Sequence, residues 1–244
     1  RGARASNSIW PPRTFSQCFR RHGETLHARS VSLRVSLPKR YDPVEERQKH
    51  SWIDYQERYP TDAETRNWYE CRHAKELALV CGPISNAHHE GAGLFIVDLD
   101  RPEILQRFRD ACGSAWDQVA IQRTRKGGAH LVSICDAAGH LRNVKLALRN
   151  NPAYVPNATP RIPRYLCDIE TRGNGGYACA WPTPNYTIEQ GDFFNLPYVD
   201  MDAVVYPILE AAMGFNQVRD ITPSLAGPGY SPAGILSRAK TIID

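Results

Sequence analysis

Cysteine is sparse in this chain: seven residues, Cys18, Cys71, Cys81, Cys112, Cys135, Cys167 and Cys179, with no Cys-x-x-Cys spacing among them. That pattern argues against a zinc knuckle and a disulfide scaffold, and reduced thiols in an intracellular compartment are expected. No run is apolar enough to span a bilayer, so no membrane partner is expected. Acids are nearly missing from residues 1–37, where Glu24 stands alone among many arginines. Apart from residues 31–37 this stretch has no sustained apolar period, and it reads as a flexible basic arm. A transit peptide shares such a composition but is less well supported beside Pro11 and Pro12. An initiating methionine is also missing; the chain begins at Arg1, and a trimmed N-terminus or a longer product is expected.

What is present suits one folded catalytic unit. The 244 residues are 42% hydrophobic and 23% charged, ordinary values for a chain with a substantial core. A net charge of +4 is compatible with a polyanionic partner but does not by itself indicate one. The expected division is an arm over 1–37, a catalytic domain over 38–215 and a linker over 216–244, the last marked by Pro223, Gly227, Pro228, Gly229 and Pro232.

Local signals give a mixed α/β order. Thr61 and Glu64 have capping-box spacing, which predicts a helix over 62–74. A short strand over 77–80 and a loop over 84–92 precede the run GLFIVDLD, residues 93–100, which reads as a central strand covered on both faces. Pro102 then suits a first helical turn, with Ile104, Leu105, Phe108 and Cys112 on one face and Gly113 at the end. Residues 119–122 and 129–135 read as paired strands around a basic turn, and 165–170 with 177–180 repeat the pattern around Asn174 and Gly175. A second helix is expected around 204–213, started or kinked by Pro207.

Three segments carry chemistry. Asp98 and Asp100 lie two apart on a strand, so their carboxylates leave the same face and can share a cation. In isolation the pair serves equally as a helix cap and an arginine partner. In QRTRKGGAHLV, residues 122–132, glycines permit close approach, while Arg123, Arg125, Lys126 and His130 offer donors to phosphate oxygens. Taken alone, a solvated basic hairpin explains that segment better. In CDIETRGNGGYACAWPT, residues 167–183, Asp168 and Glu170 again share a face, although an exposed or ion-paired hairpin also fits. Other candidates are weaker: His88 and His89 suit a solvated loop, and Trp52, Tyr55 and Tyr59 suit packing more than base stacking.

In this order the segments resemble the bifunctional primase-polymerase family of the archaeo-eukaryotic primase superfamily. VDLD matches its acid-x-acid motif at Asp98 and Asp100, GGAH its glycine-histidine motif at His130, and ETRGNGGY its third, acidic motif at Glu170. The stretches 50–69 and 81–85 extend the resemblance to roughly 39–184. Gly128 stands where relatives often carry serine, and Trp181-Pro182-Thr183 where Pro-Pro-Ser is commoner.

The resemblance implies an α+β primase-like core with a mixed central sheet, an RRM-like half and flanking helices. It also implies template-dependent nucleotidyl transfer, as DNA primase and DNA polymerase, in replication of a mobile element, phage or plasmid; a metal-dependent nuclease and a catalytically inactive DNA-binding replication module are the alternatives. Asp98, Asp100 and Glu170 are the implied catalytic and metal-binding residues, with Asp168 in reserve, for two Mg²⁺ or Mn²⁺ ions. His130, Arg125, Lys126, Gly127 and Gly128 are the implied nucleotide-binding group. Implied partners are a single-stranded DNA template, a primer, nucleoside triphosphates and a helicase domain in the full-length chain. The implied setting is the cytoplasm of a prokaryotic host or an equivalent replication compartment.

Overall fold

The computed structural model describes residues 55–61, 63–64, 77–85, 91–136 and 138–218, together with the backbone of three short strands nearer the N-terminus. Those three are β1 (Leu33–Val35), β2 (Arg40–Asp42) and β3 (Arg47–Lys49). Next come β4 (Leu77–Val80), β5 (Gly93–Leu99), helix α1 (Leu105–Cys112), β6 (Ala120–Arg123) and β7 (Ala129–Cys135). The chain continues through β8 (Lys145–Asn150), β9 (Tyr165–Arg172), β10 (Tyr177–Ala180), β11 (Thr187–Gln190), β12 (Tyr198–Val199) and helix α2 (Tyr206–Gly214).

The main sheet runs β11-β6-β7-β5-β9-β8, all antiparallel. Strand β12 adds a parallel pairing at Ile134 and Cys135, beyond the reach of β6 on β7, so the sheet is mixed as expected. Strand β5 is central and buried along its whole length, which accounts for its apolar composition on both faces. Phe95, Val97 and Leu99 enter one core with Phe108 and Cys112 of α1 and Ile208, Leu209 and Ala212 of α2. Leu94 and Ile96 alternate to the other face and pack with Leu79, Ala178 and Ala180 of a smaller sheet, β1-β4-β10. Each large side chain so enclosed contributes roughly 1.5–3 kcal/mol of apolar burial before entropy is counted.

The capping box forms: Glu64 N–H donates to Thr61 Oγ1 at 3.2 Å, and Thr61 N–H donates to Glu64 Oε2 at 2.8 Å. Residues 63 and 64 are helical, and the rest of that expected helix lies outside the described residues. Pro102 opens a 3₁₀ turn that feeds α1, and Gly113 follows the helix at φ 54°. Pro207 sits in the first turn of α2, where its missing N–H is harmless. A wider π-helical turn over Met201–Val205 precedes it, capped by Asp200, whose side chain accepts from Ala203 N–H at 2.7 Å.

One expectation is corrected. Strands β9 and β10 are not a hairpin: β9 pairs with β5 and β8, whereas β10 pairs with β4 in the smaller sheet. The intervening turn is held by other segments, Asn174 N–H donating to Leu141 O at 2.7 Å and Cys81 N–H to Gly176 O at 2.9 Å. It therefore carries the chain from one sheet to the other. Strands β8, β11 and β12 were not legible, because their short sequences follow their neighbours' edges more than any apolar period of their own. At the start of the expected linker, Leu148 N–H donates to Asn216 Oδ1 at 3.0 Å and Gln217 N–H to Leu148 O at 2.9 Å. Val218 is buried.

Cys81, Cys112, Cys135, Cys167 and Cys179 are free thiols. Burial pushes Cys112 and Cys135 up to about 12, so neither is a ready nucleophile. Among the described residues no helix is long and apolar enough to cross a membrane.

Candidate active site

Directly opposed residues of antiparallel strands share a face. The register sets Gln122 opposite His130, His130 opposite Asp98, Asp98 opposite Glu170, and Glu170 opposite Lys145. One polar row thus crosses five strands on the face that also carries the smaller sheet. Asp98 continues the apolar row of Leu94 and Ile96, and Asp100 ends it just past the strand, its N–H donating to Asp168 O at 2.9 Å.

One carboxylate oxygen from each of Asp98, Asp100 and Glu170 lies within 4.8 Å of the others. Partial desolvation pushes Glu170 and the surface-exposed Asp100 above the ordinary carboxylate range, and the charge of Asp98 pushes both further. Burial also opposes the charge on Asp98, but His130 and Arg172 outweigh it and hold that group below the usual range. Arg172, two residues along β9 from Glu170, reaches back across the group. Its Nη2 donates to Asp98 Oδ2 at 3.2 Å and to Glu170 Oε1. Asp98 therefore does meet an arginine, as one of the sequence alternatives had it.

The remaining Asp98 oxygen tests whether a cation fits. His130 Nε2 lies 3.2 Å from Oδ1 without hydrogen-bond alignment, and Oδ1 is buried with no hydrogen-bond partner. An unpaired buried acceptor costs about 1–3 kcal/mol. Three crowded carboxylates with one such oxygen are a donor set suited to a hard divalent cation.

Asp168 has different company. It is buried, with Oδ1 accepting from Arg149 Nε at 2.8 Å and Oδ2 from Arg101 Nη1 at 3.1 Å. Both oxygens are engaged away from the three-carboxylate group, which contains Glu170 and not Asp168.

A cleft of about 400 Å³ opens over Asp98, Asp100 and His130. The basic turn after β6 forms one wall with Thr124, Arg125 and Lys126, and Arg172 lies in the floor. Lys126 partly offsets the upward push on Asp100. The Arg125 guanidinium stands 5.6 Å from the ring centre of Tyr186, which itself lies 6.0 Å from the His130 ring. Acidic and basic side chains thus line one cleft, an arrangement suited to an anion carried with its cation.

Gly127 and Gly128 do not line this cleft. Gly127 takes φ 84° in the turn, its N–H donating to Thr124 O at 2.9 Å. A Cβ on Gly128 would collide with the Leu99 carbonyl, so its missing side chain serves the contact with β5, and a serine has no room there.

Several lining residues escaped the sequence reading: Thr124, Tyr177, Cys179 and Tyr186. Gln122 was legible in principle, since the hairpin's turn length sets it opposite His130. Tyr55 is buried, its hydroxyl donating to Glu64 at 3.0 Å, whereas Tyr59 is 43% exposed. Trp52, His88 and His89 lie outside the described residues.

The strand order and the acidic row with its adjacent histidine define an α+β primase-like core. The family model for the N-terminal domain of bifunctional DNA primase/polymerase matches residues 37–201, and the chain belongs to that family. Comparison with individual curated proteins gives no match.

Proposed function

We propose that this domain catalyses template-directed nucleotidyl transfer, adding nucleotides to a primer or starting a chain on single-stranded DNA. The observation that carries the reading is the three-carboxylate group with its unpaired Asp98 oxygen, set directly beside His130 and the basic turn. Asp98, Asp100 and Glu170 would hold Mg²⁺ or Mn²⁺, which would supply positive charge to acidify a 3′-hydroxyl and to stabilise a departing pyrophosphate. His130 donates to a triphosphate oxygen and is a binder, not a general base. Arg125 and Lys126 draw the same phosphates toward the open wall. Arg172 bridges Asp98 and Glu170 and offsets their charge. Rate then follows from placement and preorganised charge more than from covalent chemistry.

Purified protein incubated with primed and unprimed templates, nucleoside triphosphates and Mn²⁺ is expected to yield product that grows only when nucleotides are present. Shortening of the DNA without nucleotides would instead establish a nuclease. Template affinity should fall steeply with salt, since phosphate contacts dominate it.

Cation binding has its own signature in stability. Asp100 and Glu170 are raised in the folded protein, so their contribution favours folding at low pH and is lost as pH rises through those raised values. Mn²⁺ binds the ionised group and acts oppositely. At a hundred times its dissociation constant it should add about 2.7 kcal/mol, or roughly 5–10 °C in melting temperature, near neutral pH. In acid, where Asp100 and Glu170 are protonated, the increment should vanish. Calorimetric melting with and without Mn²⁺ across pH checks both signs.

A further inference from the structure

Gln122 is the least exposed polar residue of the row, with no accessible surface, on a strand whose same-face neighbour Ala120 is also fully buried. A buried amide is unfavourable there unless its hydrogen bonds are made. All of them can be assigned. Trp181 N–H only donates, so the amide atom 2.8 Å from it is Oε1; Cys179 O only accepts, so the atom 2.8 Å from it is the NH₂ group. The amide therefore cannot be flipped. Its NH₂ group also lies 2.7 Å from His130 Nδ1 and donates to it. Nδ1 must then carry a lone pair, and the ring proton sits on Nε2, the nitrogen on the Asp98 side of a ring that lines the cleft.

We propose that Gln122 is a positioning residue that locks His130 as the Nε2–H tautomer and so presents a hydrogen-bond donor to the phosphates of the incoming nucleotide. The proposal rests on the polymerase reading for the identity of the ligand, but the lock itself does not. Without it the imidazole is free to offer a bare nitrogen, and a lone pair facing a phosphate oxygen repels it. Cys179 and Trp181 flank the end of β10, so the lock closes only when the smaller sheet is docked on the larger one. The histidine's chemistry is thereby tied to assembly of the two sheets.

The test combines a spectroscopic and a kinetic readout. In ¹⁵N-histidine NMR of the wild-type chain, with His130 assigned by its disappearance in His130→Asn, the ring should show Nε2–H and a bare Nδ1. Gln122→Met keeps the length and removes the donor. It should give mixed tautomers and raise KM for the nucleotide roughly tenfold, the scale of one weakened hydrogen bond to a charged group, with KM for primer-template unchanged. Nδ1–H in the wild-type protein overturns the proposal even if the variant does not fold. So does a Gln122→Met protein that keeps both tautomer and nucleotide KM, or one that weakens nucleotide and DNA equally. Wild-type protein that shows Nε2–H but binds no nucleotide overturns the ligand assignment, a failure distinct from that of the lock.

Discussion

Asp98→Ala/Asp100→Ala protein is expected to stay folded and to extend no primer. The two carboxylates lie on opposite sides of the stability balance. Asp98 is held low by His130 and Arg172 and so favours the folded state, whereas the raised Asp100 disfavours it at neutral pH. Removing both lets the terms partly cancel, and Arg172 keeps Glu170 as a partner. Activity has no such compensation. The unpaired Asp98 oxygen and the Asp100 carboxylate are two of three converging donors, and one remaining carboxylate cannot hold a divalent cation tightly. The loss should exceed the roughly 10²- to 10³-fold typical of one preorganised electrostatic contact. Primer extension and Mn²⁺ calorimetry, with circular dichroism to confirm folding, measure it. Undiminished product would remove the assignment.

The neighbouring acid should behave in the opposite way. Asp168→Asn is expected to lower the melting temperature strongly, while Glu170→Gln changes it little and abolishes Mn²⁺ binding. Asp168 is clamped between Arg149 and Arg101 with both oxygens engaged, and its side chain is only 3% exposed. Neutralising it removes the carboxylate that two guanidinium groups share and leaves Arg101 only the exposed Glu103, 3.6 Å away. Breaking a buried pair costs about 3–5 kcal/mol, and because each arginine side chain is 30% exposed the lower end applies. About 3 kcal/mol corresponds to roughly 6–12 °C for a domain of this size. Glu170 is raised by burial and by its acidic neighbours, so a neutral isostere relieves as much as it removes. Thermal melts of the two variants separate a structural carboxylate from a ligand-binding one two residues away on the same strand. A stable Asp168→Asn protein that loses Mn²⁺ would reverse the roles.

These paired outcomes show how far each kind of information reaches. The apolar run before Asp98 and the two-residue spacing to Asp100 made β5 and its acidic end legible, because strand alternation is a local property. The hairpin of β6 and β7 was legible for the same reason, its turn being written in Thr124–Gly128. The exchange of β10 into the smaller sheet was not, since Gly173–Gly176 is shaped by distant partners, Leu141 and Cys81, and nothing local names them. Asp168 and Glu170 are both carboxylates on the same strand face, and in sequence terms only the register of the family motif favours Glu170. In the fold, Arg101 and Arg149, brought from separate elements, engage Asp168, while Glu170 keeps Arg172 of its own strand.

By itself, then, the sequence determined the strand with its paired acids, the basic turn, the histidine and the order that marks the family. Those features depend on neighbours a few residues apart. Tertiary structure alone decided that Asp168 is held by two arginines apart from the carboxylate group, that Gly128 serves β5 instead of the cleft, and that Gln122 orients His130. Each of these depends on cross-strand register and on side chains converging from distant parts of the chain, where burial and charge act through space and not along the sequence.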